Sequence, residues 1–208
     1  MAWMRAGGRR LPGDVKPRRQ DVHPSEAMTQ RGVRSRPCLP RVVEGCLDSC
    51  SRCLGLLELL AGLPGETARR VEAQVGPHLR HCVEHVRCIF AGADRGWIDY
   101  DARERSVALE REPRRLGDAF REVMSELPRL DARELARPLV VRQTVSAAGP
   151  PVDVGTTLGR ELAFAASHAI HHLAICRLLA AQHGVVVPEE LTLAPSTAAH
   201  RRALGAGD

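Results

Sequence analysis

The chain has 208 residues and a formal net charge of +5, with 44% hydrophobic residues and six aromatics. That length suits one well-buried domain with a tail and is too short for two ordinary domains. Ten of the thirty basic residues but three of the twenty-five acidic ones precede Glu44, so the remainder, twenty against twenty-two, is nearly neutral. The basic charge therefore belongs to the tail. With so few aromatics and no zinc-finger or RNA-binding motif, nucleic acid is not expected as a partner.

Lys16 is the sole lysine and lies in the tail, which excludes Schiff-base chemistry from the domain. Seven cysteines, an odd number set mostly in apolar helical patterns, read as reduced thiols of a cytoplasmic protein. The N-terminus lacks the continuous apolar core of a secretory signal. No stretch of eighteen apolar residues argues for a membrane span.

Residues 1–38 are rich in Arg, Gly and Pro without apolar periodicity, and read as a disordered basic tail; Met28 is an alternative start of translation. Residues 39–208 form the expected domain. From Pro40 to about Leu63, Val43, Cys46, Cys50, Cys53, Leu57 and Leu60 recur at spacings of three and four, predicting a helix that ends at Gly62 and Pro64. A second helix is predicted from Gly76-Pro77 to about Ala91, with proline in its first turn. The segment RGWIDYDARERS reads as a solvated connection, with a second reading in which its IDYDARER run (Asp99, Tyr100, Asp101, Arg103, Arg105) lines a pocket mouth and an arginine grips a substrate carboxylate.

A third amphipathic helix is predicted from about Pro113 to Leu127. Val-rich runs around Ala-Ala-Gly-Pro-Pro, between Arg137 and Thr157, predict a short β-hairpin or an extended loop. The last helix, about Thr157 to His183, is apolar on almost every side and should be central and buried, with Gly184 as its stop. The segment after it reads as a strap over the helices. The fold class is all-α, an antiparallel four-helix bundle with a short hairpin before the last helix.

Six of the nine histidines fall in two clusters, His78, His81 and His85, and His168, His171 and His172. Neutral imidazole is a common ligand for divalent metals, and an i, i+4 pair on a helix aims both rings at one point. His168 and His172 form such a pair, and Glu161 lies on the same stripe, about 20° from His168 on a helical wheel. On the second helix all three histidines border the apolar arc, His78 and His85 nearer its centre than His81. A third ligand from this helix leaves positions open for water or substrate, as catalytic sites do. Glu161 is the candidate general base, two helical turns from His168.

The segment VGPHLRHCVEH, paired with SHAIHH in the last helix, resembles the DinB/YfiT family of four-helix-bundle metalloenzymes. The resemblance spans about residues 40–200. It implies a metal held by one histidine early in the second helix and an H-x-x-x-H pair in the last, matching His81, His168 and His172, with His85 the next choice to His81. It further implies a divalent ion (zinc, nickel or iron) and a small-molecule substrate, including low-molecular-weight thiols, in transfer, isomerase or hydrolase reactions, and it allows a homodimer. Many members follow the second histidine with Arg-Gly-Gln, whereas Leu173-Ala174-Ile175 stands here. The alternatives are a non-catalytic stress-response or binding bundle and a non-haem iron oxidase.

Cys46, Cys50 and Cys53 share the C-x3-C-x2-C spacing of radical enzymes that hold a four-iron cluster. The same spacing is one face of a helix, and without a barrel strand and loop around it the reading is core cysteines. A Cys50/Cys53 redox pair likewise lacks its βαβ setting.

Overall fold

The structure, a computed structural model, describes residues 39–205. The expectations for residues 1–38 and for Met28 lie outside the described residues. The fold is mostly helical, with one small sheet against it.

Helix α1 (Arg41–Ala61) follows the predicted stripe: Val43, Cys46, Cys50, Cys53, Leu57 and Leu60 are all buried. Helix α2 (Gly65–Ala93) starts about three turns earlier than predicted, directly after Pro64. Glu66 in its first turn pairs with Arg69 and Arg70, and Ala68, Val71 and Val75 face the core. Gly76-Pro77 therefore lies inside a helix. The proline removes one backbone donor, and the carbonyl it orphans belongs to exposed Ala73, where water can serve it. Gly76 has a separate reason: a Cβ there would stand 2.3 Å from the carbonyl oxygen of Glu110, which packs directly on α2.

Strand β1 (Trp97–Asp99) was not anticipated. It is followed by α3 (Val107–Arg111), capped by Ser106, then α4 (Pro113–Glu126) and α5 (Ala132–Leu135), capped by Asp131. Strands β2 (Pro138–Gln143) and β3 (Val152–Thr157) pair antiparallel, with Val141 opposite Val154. The expected hairpin is thus corrected to a three-stranded sheet, because β1 joins the free edge of β2 in parallel, Trp97 opposite Val140. Ile98, Leu139 and Val141 turn inward, while Val140, Val152 and Val154 remain exposed.

Helix α6 (Leu158–Ala181) begins at Thr157, whose hydroxyl accepts from the Arg160 N–H at 3.2 Å. The chain leaves it through Gly184 at φ 74°. Helices α1, α2, α4 and α6 pack on one another around Leu56, Leu79, Ile89, Leu116, Phe120, Leu162 and Leu173. The expectation that α6 is buried all round is corrected. Ala163, Ser167, His171, Ala174 and Leu178 form an exposed stripe, small enough in places that composition alone did not mark it as a surface. By length and composition α6 could cross a membrane, a test that core helices also pass. Beyond it Val185 and Val187 are buried, Arg52 donates to the Leu193 carbonyl at 2.7 Å, and α7 (Pro195–Gly205) completes the strap.

Cys46, Cys50, Cys53, Cys82 and Cys176 are buried and free. The neighbouring Cys46 thiol and burial push Cys50 up, and Cys82 and burial do the same to Cys53, the opposite of what a redox nucleophile needs.

Candidate metal centre

The close packing of α2 on α6 brings both histidine clusters together. His168 and His172, one turn apart on α6, meet His81 of α2: His81 Nε2 and His168 Nε2 are 2.8 Å apart, and His172 Nε2 and His168 Nε2 are 3.2 Å apart. One ring nitrogen from each lies within 4.8 Å of the others, in a half-buried group that could hold a metal ion. Three ligands about 2.1 Å from one ion stand about 3.0 Å apart on an octahedral face and about 3.4 Å apart on a tetrahedral one. Two edges fall close to that range and the His81–His172 edge lies within 4.8 Å, and all-imidazole donors suit zinc, nickel or iron.

The remaining residues of the two clusters do other work. His78 Nδ1 meets His172 Nδ1 at 2.9 Å, on the side of the ring away from the triad. Such a contact fixes the orientation of a ligating imidazole. His85, buried at 5% exposure, donates from Nδ1 to the His81 carbonyl at 2.9 Å and stacks on Tyr100 with centroids 5.0 Å apart. His85 stays outside the three-nitrogen group, and its depth reflects the apolar centre that the helical wheel assigned to it. His171 is exposed, and Phe164 stacks on His168 at 17° between planes.

Glu161 is buried, and both carboxylate oxygens are engaged. Tyr100 Oη donates to Oε2 at 2.7 Å, Thr156 Oγ1 to Oε1 at 2.7 Å, and Arg160 approaches Oε1 at 3.4 Å. It is not hydrogen-bonded to any of the three histidines. It reaches them through Tyr100, stacked on His85, and lines a cavity of about 140 Å³ with Phe164 and Gln143. Burial, with the Glu161 carboxylate beside it, pushes the Tyr100 phenol well up, so it remains a donor.

Arg103 approaches the triad from the other side. Its Nη1 donates to the Tyr100 carbonyl at 2.7 Å and its Nη2 to His81 Nδ1 at 2.9 Å. The sequence offers two readings of the 98–105 segment, and each holds for part of it: exposed Asp101 and Arg105 fit a solvated connection, whereas Tyr100 is buried and Arg103 is half-buried against the site. The two are tied by a local turn contact, Arg103 Nη1 on the Tyr100 carbonyl, for which residue spacing outside a helix gives no signal.

Burial holds the His81 imidazole down to about 2, with His85 and Arg103 adding repulsion; burial likewise brings His85 and His172 to about 4 and lowers His168 and His78. Every ring at the site is therefore neutral near pH 7, the ligating form. The unfolded chain, with histidines near 6.5, binds more protons than the folded one below that pH, so stability is full above about 6.5 and declines as pH falls toward the folded values. In chelator-treated protein, the urea midpoint should drop between pH 7.5 and 5. Over that window Asp153, held low by Arg142, stays ionised, while Glu72 and Glu84, pushed up by burial, act in the opposite direction, so a midpoint that stays flat in Glu72→Gln/Glu84→Gln protein refutes the histidine account.

No family model matches the chain, and no solved structure matches it. Among curated proteins, a stretch of 104 residues is 29% identical to FK506-binding protein 5 of Rhizopus delemar, covering 50% of this chain and 27% of that protein. The match thus spans about a quarter of that relative's length and assigns no role to any residue of the histidine site.

Proposed function

We propose that His81, His168 and His172 hold one divalent metal ion, zinc, nickel or iron, in a helical bundle of the DinB/YfiT type, and that the protein is a metal-dependent enzyme acting on a small molecule. The observation that carries this is the convergence of three imidazole nitrogens from two helices, with edges of 2.8 and 3.2 Å. Three protein ligands leave positions for water or substrate, the pattern of catalytic sites. A bound ion would supply Lewis acidity and lower the pKa of a water or thiol.

The substrate class that fits best is a low-molecular-weight thiol, in S-transfer, isomerisation or hydrolysis. The six free cysteines among the described residues fit a reducing, cytoplasmic setting in which such thiols are abundant. Glu161 serves as a positioning residue: it fixes Tyr100, which supports His85 beneath the triad.

A non-catalytic metal-binding bundle is the second reading, favoured by the fact that both Glu161 oxygens are already hydrogen-bonded, which leaves it a poor base. Dialysis of the purified chain against zinc, nickel and ferrous ions, followed by metal analysis, should find one ion per chain; none would refute the proposal. Cobalt-loaded protein should then show a thiolate-to-cobalt band when 2-mercaptoethanol is added. A spectrum unmoved by thiol would favour the non-catalytic reading.

A further inference from the structure

Arginine carries only donors, so the contact from Arg103 Nη2 makes His81 Nδ1 an acceptor. A neutral His81 then keeps its single proton on Nε2, the nitrogen that faces His168 and that a metal would need. Ligating imidazoles ordinarily show the reverse, with the far nitrogen donating to a carbonyl or carboxylate. As it stands, the Arg103 contact opposes ligation by His81.

The same guanidinium is incompletely satisfied. Arg103 Nε is buried and has no partner, a state that costs free energy unless a ligand fills it. Nε and Nη2 form the edge that grips a carboxylate through two parallel bonds. Arg103 also lines a cavity of about 260 Å³ with Arg95, Trp97, Asp99 and Glu84. Arg95 lies over the Trp97 ring, 5.5 Å from its centroid, and no ion pair engages it among the described residues. Two acidic groups of this wall are committed, Asp99 Oδ1 accepting the N–H groups of Asp101 and Ala102 and Glu84 Oε1 that of Ser106, while Glu104 lines the cavity from its exposed rim. Glu84 Oε2, buried without a hydrogen bond, lies 3.8 Å from Arg80 Nε, its ion-pair partner.

We propose that this cavity binds a small carboxylate on the Nε and Nη2 edge of Arg103, and that the carboxylate draws Nη2 off His81, so that metal and carboxylate bind cooperatively. The proposal rests on the metal reading of the triad and adds a ligand class to it: a carboxylate-bearing substrate or co-ligand. Nη1 can keep its bond to the Tyr100 carbonyl throughout, so the latch needs a rotation of the guanidinium and no movement of the backbone. Coupling is reciprocal, so the ion should tighten carboxylate binding by the same factor.

The test is the zinc affinity of the full chain, measured by competition with a chromophoric chelator, in sodium propionate and in sodium chloride of equal ionic strength. Propionate should tighten zinc by about fivefold or more in the wild type. Arg103→Met should bind zinc tightly in chloride and respond to propionate no further. Nitrogen-15 spectra of the metal-free wild type give a readout independent of the variant: His81 should be the Nε2–H tautomer in chloride and move toward Nδ1–H in propionate. Zinc binding indifferent to propionate, or a folded Arg103→Met that binds zinc more weakly, overturns the latch alone. Absence of zinc from both proteins overturns the triad reading and the latch with it.

Discussion

Replacing His168 by alanine should weaken divalent-metal binding by more than about a hundredfold, because loss of an outer partner alone costs 10–100-fold and His168 is itself a ligand. It is also the hinge of the group, since its Nε2 makes the short contacts to both His81 and His172. His81→Ala should cost a similar factor. His85→Ala should cost about tenfold or less, since His85 only buttresses His81 through its Nδ1 bond to the His81 carbonyl and its ring contact, with centroids 4.2 Å apart. Equilibrium zinc titration of the three variants, each checked by far-UV circular dichroism, decides the assignment. If His85→Ala abolishes binding while His81→Ala leaves it intact, the helix-α2 ligand is His85 and the triad as drawn is wrong. All three variants retain the core leucines of α2 and α6, so helical content should persist.

The histidines were legible because their chemistry is local. An i, i+4 pair is fixed by helical pitch alone, so His168 and His172 needed no tertiary information. The partner on α2 was harder, since three histidines border one arc and the choice among them depends on how α2 rotates against α6. Helical phase favoured His78 and His85, yet the structure brings His81 into the group, with His78 behind His172 and His85 beneath. What a wheel measures is depth, and a metal site at the edge of a core is not at the deepest position.

Which residues of the IDYDARER run face the site, Tyr100 and Arg103 and not Asp101 or Arg105, was illegible for a different reason. Their position depends on β1, a three-residue strand whose parallel pairing with β2 joins residues more than forty apart in the chain. Period-2 alternation cannot show in three residues, so no local signal marks it. The start of α2 was missed because Gly76-Pro77 is a strong punctuation signal; a glycine kept for the approach of the Glu110 carbonyl looks the same in sequence as a glycine that ends a loop.

Gly92, in the last turn of α2, is the counterpart of Gly76 in its interior, and Gly92→Ala should destabilise the fold by about 2 kcal/mol. A Cβ there would stand 2.6 Å from the Trp97 carbonyl oxygen, 2.6 Å from Ile98 Cγ1 and 3.0 Å from Ile98 Cα. Two of these are backbone atoms of a strand held on β2, and Ile98 is fully buried, so neither side can yield cheaply. Overpacking costs about 1–3 kcal/mol, which exceeds the roughly 0.5–1 kcal/mol that alanine returns over glycine in a helix. At this chain length the loss corresponds to a fall in Tm of roughly 4–8 °C. Gly45→Ala is the control, since Gly45 is exposed on α1 with nothing within 4 Å of its Cβ position, and the propensity gain should raise stability there. The strand that Gly92 admits leads directly to Tyr100 on Glu161 and Arg103 on His81. Gly92→Ala should therefore also shift zinc affinity, by less than about tenfold, since it moves Tyr100 and Arg103 and no ligand. A Gly92→Ala protein that melts with or above the wild type would show that β1 is not seated against α2 at this glycine, and with it the placement of Arg103 beside the triad would fall.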